Sequence, residues 1–167
     1  CLFPIFLSEL WLLKKKSLSF YIIYFKDFIG SISKMGLLSG KKGLIMGVAN
    51  ERSIAWGIAK ACSSEGANLA FTYQGEALKK RIVPLADSVG SNFTLECDVG
   101  DQLAIKETFA EIKNIWKDID FLVHAIGFSD KNELRGRYVD TSKHNFLSTM
   151  DISVYSLTAV TQEAEKI

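Results

Sequence analysis

From residue 43 onward the chain alternates short apolar runs with amphipathic helical patterns, and no other feature limits its possible folds as strongly. The runs at residues 43–48, 67–73, 92–97 and 119–126 have the length and composition of strands. Between them, residues 53–65, 76–88 and 102–116 read as helices; in the third, Ile105, Phe109, Ile112 and Trp116 recur at helical spacing. Gly66 and Gly90 stand where glycine ends a helix, and the second helix is expected to run through Pro84. A last helical stretch is expected from residue 141 to the end. Parallel strands need crossovers, and here every crossover is helical. The expected fold class is therefore α/β, a Rossmann-like doubly wound parallel sheet of about four strands, incomplete.

Such sheets bind ligands at the carboxyl ends of their strands. That places Val48-Ala49, Tyr73-Gln74, Asp98-Val99 and Ala125-Ile126-Gly127 at one edge. The first end runs into Gly47-Val48-Ala49-Asn50-Glu51-Arg52-Ser53-Ile54-Ala55-Trp56-Gly57, a strand, a turn and a helix start. A helix N-terminus carries unpaired N–H groups and partial positive charge, and a glycine before it lets an anion approach the backbone. Ser53 is placed to add a hydroxyl, and Gly57 is expected to let the helix lie close to the sheet. Ile54, Ile58, Ala59 and Cys62 are expected on the inward face. The loop lacks a full G-x-G-x-x-G, so by itself it reads equally as a phosphate cradle or a plain turn.

Composition narrows the function classes. With 167 residues, 48% of them hydrophobic, and a net charge of +1, the chain suits one globular domain and lacks the basic footprint of a nucleic-acid binder. Lys79-Lys80-Arg81 reads as a solvated helix face. Cys1, Cys62 and Cys97 are widely spaced without a C-x-x-C pair, which argues against a disulfide framework or a zinc site and for a reducing compartment, the cytoplasm. His124 reads as a strand-end residue, His144 as helix surface, and Trp56 and Trp116 as packing anchors. No metal site is expected. Residues 1–34 differ from the rest: two apolar runs flank Lys14-Lys15-Lys16, and neither has the roughly 20 apolar residues of a membrane span. They are expected to be an upstream extension outside the fold, with a targeting leader or a membrane-associating segment as alternatives. Residues 35–167 form the second unit of this reading.

Five blocks carry a resemblance when taken in order: Gly47-x5-Ser53-Ile54-Ala55-x-Gly57, Phe71-Thr72-Tyr73-Gln74, Cys97-Asp98-Val99, His124-Ala125-Ile126-Gly127-Phe128 and Asp151-Ile152-Ser153-x-Tyr155-Ser156. Together they resemble the amino-terminal part of the bacterial-type enoyl-acyl carrier protein reductases, a divergent branch of the short-chain dehydrogenase/reductases. The resemblance covers residues 35–167.

It implies an NADH site. Gly47, Ser53 and Ile54 would hold the pyrophosphate, Gln74 the adenine ribose, and Asp98 and Val99 the adenine. Ile126 and Gly127 would lie against the nicotinamide side, and Ser129 would border the acyl substrate. The implied reaction is reduction of a trans-2-enoyl thioester on acyl carrier protein, in a full-length homotetramer. The family's catalytic tyrosine and lysine, separated by six residues, are expected to be absent. Tyr155 is followed by Gln162 and Tyr138 by Asn145, whereas Tyr73 and Lys80 match the spacing at the adenosine side. The chain is thus expected to be a fragment with no catalytic residue of its own. Two alternatives are another short-chain reductase acting on a ketone or alcohol, and a non-catalytic dinucleotide-binding module.

Overall fold

The computed structural model describes residues 36–167; the expectations for residues 1–34, Cys1 among them, lie outside the described residues. Strands β1 (Lys42–Met46), β2 (Asn68–Tyr73), β3 (Phe93–Glu96) and β4 (Phe121–His124) form one parallel sheet in the order β3-β2-β1-β4. Helices α1 (Ile54–Ser64), α2 (Gly75–Ser88) and α3 (Gln102–Trp116) make the crossovers. The chain winds outward from β1 through β2 to β3, then returns to lay β4 on the other side of β1. The reversal creates a switch point between the carboxyl ends of β1 and β4, where open sheets of this kind form a crevice.

Strand alternation divides the core into two layers, because successive side chains point to opposite faces. Leu44, Met46, Ala70 and Leu95 pack with Ile105, Phe109 and Ile112 of α3. Ile45, Leu69, Phe71 and Tyr73 pack with Ala55, Trp56 and Ala59 of α1 and with Ile82 and Ala86 of α2. Trp56 tilts over Phe71 at 6.3 Å between ring centroids, and Trp116 meets Phe93 edge-on at 5.0 Å, so both tryptophans are packing anchors. Gly43 pairs with Phe121 across β1 and β4, and a Cβ there would stand 2.1 Å from the phenyl ring. At the amino ends of the same strands, Asp120 accepts from Lys41 Nζ at 2.6 Å and from the Lys42 amide at 2.8 Å.

Several expectations need correction. The strand expected over 119–126 is shorter, Phe121–His124, because β1, its partner among the described residues, ends at Met46; the Asp120 and Ala125 amides just outside it still donate to the Lys42 and Met46 carbonyls. Ile54 is 79% exposed; the inward face of α1 is Ala55, Trp56 and Ala59 instead. Gly57 is exposed, and a Cβ on it would meet nothing within 4 Å. It therefore does not set the spacing between helix and sheet.

The stretch from residue 141 is helical but not continuous. A 3-10 turn (Tyr138–Asp140) precedes α4 (Lys143–Met150); a π-turn (Asp151–Tyr155) then joins α4 to α5 (Ser156–Ala164). The apolar residues of this stretch divide. Val160 is fully buried and Ile152 packs against the α3 layer, whereas Val154 is 52% and Leu157 47% exposed. Among the described residues no helix is long and apolar enough to cross a membrane. Cys62 and Cys97 are free thiols, and burial pushes both above the ordinary cysteine value.

Candidate functional site

The ends of β1 and β4 cross at Gly47. Its φ is +96°, and a Cβ on it would stand 2.2 Å from the carbonyl oxygen of Ala125. Glycine is thus required twice, for a backbone angle that L-residues avoid and for the close crossing of the β1 and β4 ends. Beyond it, Asn50 shapes the turn: its Oδ1 accepts from the Arg52 amide at 2.8 Å, and its carbonyl accepts from the Ser53 amide and hydroxyl.

Ser53 is the N-cap of α1, but its hydroxyl donates to Asn50 at 2.7 Å and does not cap the helix. The first turn of α1 also has no acidic residue. An eleven-residue helix therefore begins with N–H groups that its cap side chain leaves free for an anion.

At the next strand ends, Gln74 Nε2 donates to Asp98 Oδ2 at 2.8 Å. Asp98 Oδ1 accepts from the Gly100 amide at 2.9 Å, closing a local turn. Asp98 does not cap α3; Asp101 does, accepting from the Leu103 amide at 2.8 Å. A carboxylate only accepts, so the amide nitrogen of Gln74 faces Asp98 and its Oε1 stays free to accept. Val99 is buried beside the pair.

Gly47, Gln74, Asp98, Val99, Ile126 and Gly127 line one open cleft of about 300 Å³. Ser53 and Ile54, at the start of α1, are not among its lining residues. Ser129 lies in a second cleft of about 350 Å³, with Asn145, Thr149 and Met150 of α4. The six strand-end residues named from the sequence are brought together; the other three are not.

The model of the enoyl-(acyl carrier protein) reductases matches residues 47–167. The chain belongs to this family. It is similar to enoyl-[acyl-carrier-protein] reductase [NADH] 1 of Rhizobium meliloti, 58% identical over 79% of this chain and 48% of that protein. With the Rickettsia bellii NADH enzyme it shares 52% identity over 79% of this chain and 50% of the other. Among solved structures, FabI from Candidatus Liberibacter asiaticus superposes with a TM-score of 0.77 at 52% identity, over 79% of this chain and 51% of that one. The reductase from Anaplasma phagocytophilum, solved in complex with NAD, gives 0.76 at 53%, over 78% and 50%. The chain spans about half the length of the curated relatives it matches.

Within this chain, sequence reasoning passed over a polar series that the structure makes prominent. Asn145 is buried, with Oδ1 accepting from the Asp130 amide at 3.0 Å and from the Ser129 hydroxyl at 3.3 Å. Thr149 donates to Ser129 at 2.9 Å, and Ser153 bonds to the backbone of Phe128. His124 Nε2 lies 2.8 Å from Ser156 Oγ, whose hydrogen goes to the Ile152 carbonyl at 2.6 Å. The ring must then donate from Nε2, which fixes the neutral tautomer; burial lowers its pKa below the ordinary 6.5. His144 is exposed on α4. The signal was legible in part, since positions 145, 149, 153 and 156 are polar residues at helical spacing.

Proposed function

We propose that the chain is the dinucleotide-binding half of an NADH-dependent enoyl-acyl carrier protein reductase of fatty-acid biosynthesis. The observation that supports this most is the single cleft uniting Gly47, the Gln74–Asp98 pair and Gly127 at the carboxyl ends of four parallel strands. The residues present fit the cofactor. The free N–H groups of α1, beside Gly47, Ser53 and Ile54, would hold the pyrophosphate. Gln74 Oε1 would accept from the adenine ribose, Asp98 from the adenine amine, and Val99 would be the apolar wall. Ile126 and Gly127 would lie against the nicotinamide side, with Ser129 bordering the acyl chain.

When bound, the reduced nicotinamide supplies the hydride that reduces the enoyl thioester carried by acyl carrier protein. The chain's own part is to bind and orient. Tyr73 and Lys80 have the family's spacing, but Tyr73 reaches the cleft beside Gln74, at the adenosine end. In our reading the groups that polarise the thioester belong to the remainder of the family's length, so this chain has no catalytic residue. Residues 35–167 are the dinucleotide-binding part, and no role in it is assigned to residues 1–34. The full-length enzyme is a cytoplasmic homotetramer, and the exposed Leu147, Val154 and Leu157 suit a subunit contact.

Calorimetric titration of the chain with NADH, and with ADP as competitor, tests the reading. Saturable NADH binding that ADP displaces is expected, with no NADH oxidation on adding a crotonyl thioester. Failure to bind either nucleotide would overturn the site; turnover would overturn the division of labour.

A further inference from the structure

Among the described residues, the peptide that leaves β4 passes the cleft at Gly127 and Phe128 without a neighbouring strand on its outer side. Backbone polar groups in such a position need partners. One side chain supplies both for Phe128: its N–H donates to Ser153 Oγ at 3.0 Å, and Ser153 Oγ donates to its carbonyl at 3.1 Å. A hydroxyl can do this because it is donor and acceptor at once. Ser153 also stands 4.0 Å from where a Cβ on Gly127 would be, so it backs that residue as well.

This bridge is the second of four rungs in a ladder of side chains. Read along the segment after β4, His124 meets Ser156, Phe128 meets Ser153, Ser129 meets Thr149, and Asp130 meets Asn145. The two segments run in opposite directions, and the partners descend in step. In an α-helix, residues four apart overshoot a full turn, so a series such as 145, 149, 153 drifts around the axis. The π-turn at Asp151–Tyr155 is wider and takes up that drift, which keeps Ser153 over Phe128. Such turns are rare and concentrate at functional sites.

We infer that Ser153 is a positioning residue: its hydroxyl fixes the Gly127–Phe128 peptide as the wall against which the nicotinamide half of the cofactor lies. The inference rests on the dinucleotide reading above. Ser153 acts through the backbone and does not touch the adenosine end, where Gln74 and Asp98 are held by each other. Its loss should therefore weaken whole-cofactor binding while sparing the adenosine part.

The test compares NADH and ADP binding by the chain and its Ser153→Ala and Ser153→Thr variants, with amide hydrogen exchange of the unsubstituted chain. Ser153→Ala should lose roughly threefold to tenfold in NADH affinity, the worth of an ordinary hydrogen bond or two. ADP affinity should be unchanged, and Ser153→Thr, which keeps the hydroxyl, should restore NADH binding. The Phe128 amide should be protected in the unsubstituted chain, a measurement that stands even if the alanine variant does not fold. Unchanged NADH affinity in Ser153→Ala, an equal loss for ADP, or rapid exchange at Phe128 would overturn the inference alone. No binding of NADH or ADP by the unsubstituted chain would overturn the dinucleotide reading and this inference with it.

Discussion

Gln74 donates from Nε2 to Asp98 Oδ2 at 2.8 Å, one residue past the last ladder bond between β2 and β3, from the Cys97 amide to the Tyr73 carbonyl at 2.8 Å. The pair extends the sheet by one side-chain rung and fixes the chemistry of its edge. What remains unused is an amide oxygen and a partly occupied carboxylate, both acceptors. That suits ribose hydroxyls and an adenine amine, and it disfavours an added phosphate by charge.

Gln74→Glu would set two carboxylates in contact where an amide now donates. Like charges this close oppose each other's ionisation and splay the strand ends. We expect NADH affinity to fall by about tenfold at neutral pH with little change in fold; calorimetry and far-UV circular dichroism check this. Unaltered affinity would remove the pair from the site.

Two glycines that look alike in the sequence should respond in opposite ways. Gly47→Ala forces a Cβ to 2.2 Å from the Ala125 carbonyl at a φ of +96°. We expect a loss of about 2 kcal/mol or more in stability, from strain and overpacking together. Gly57→Ala places a methyl group in open space on a helix and should raise stability by about 0.5–1 kcal/mol. Urea unfolding of both variants decides the matter, and a destabilised Gly57→Ala would restore the packing role the structure denies it.

How much of this was legible follows from which forces act locally. Strand and helix order came from apolar periodicity, and the six lining residues of the cleft came from strand ends, because burial and crossover geometry are written in the pattern. Gly57 and Ile54 were misplaced, since two residues of one turn differ in facing by a rotation that only the packing of Trp56 on Phe71 determines. Ser53 was assigned a free hydroxyl, but Asn50, three residues earlier, already uses it. The interruption at Asp151–Tyr155 has no sequence mark of the usual kind, neither proline nor glycine. Its cause is tertiary, in the polar partners that the segment after β4 offers to Asn145, Thr149, Ser153 and Ser156.

His124 gives a pH test with a definite sign. Burial holds the folded imidazole below 6.5, so the unfolded chain takes up the extra proton first as pH falls. The stability contributed by neutral His124 is therefore complete above about pH 6.5 and declines as pH drops through and below that value. Between about pH 7.5 and 5.5 the urea midpoint of the chain should fall more than that of His124→Gln, which keeps a donor to Ser156 and does not titrate. Equal slopes would contradict this.

The central claim is that the carboxyl ends of the four strands form one dinucleotide site. An NADH titration followed by amide chemical shifts tests it most directly. The account predicts saturable shifts at Gly47, Gln74, Asp98, Val99, Ile126 and Gly127, and at the α1 start around Ser53 and Ile54, with the amino-end residues Lys42 and Asp120 unmoved. Shifts confined to other surfaces, or no shift at saturating NADH, would contradict it.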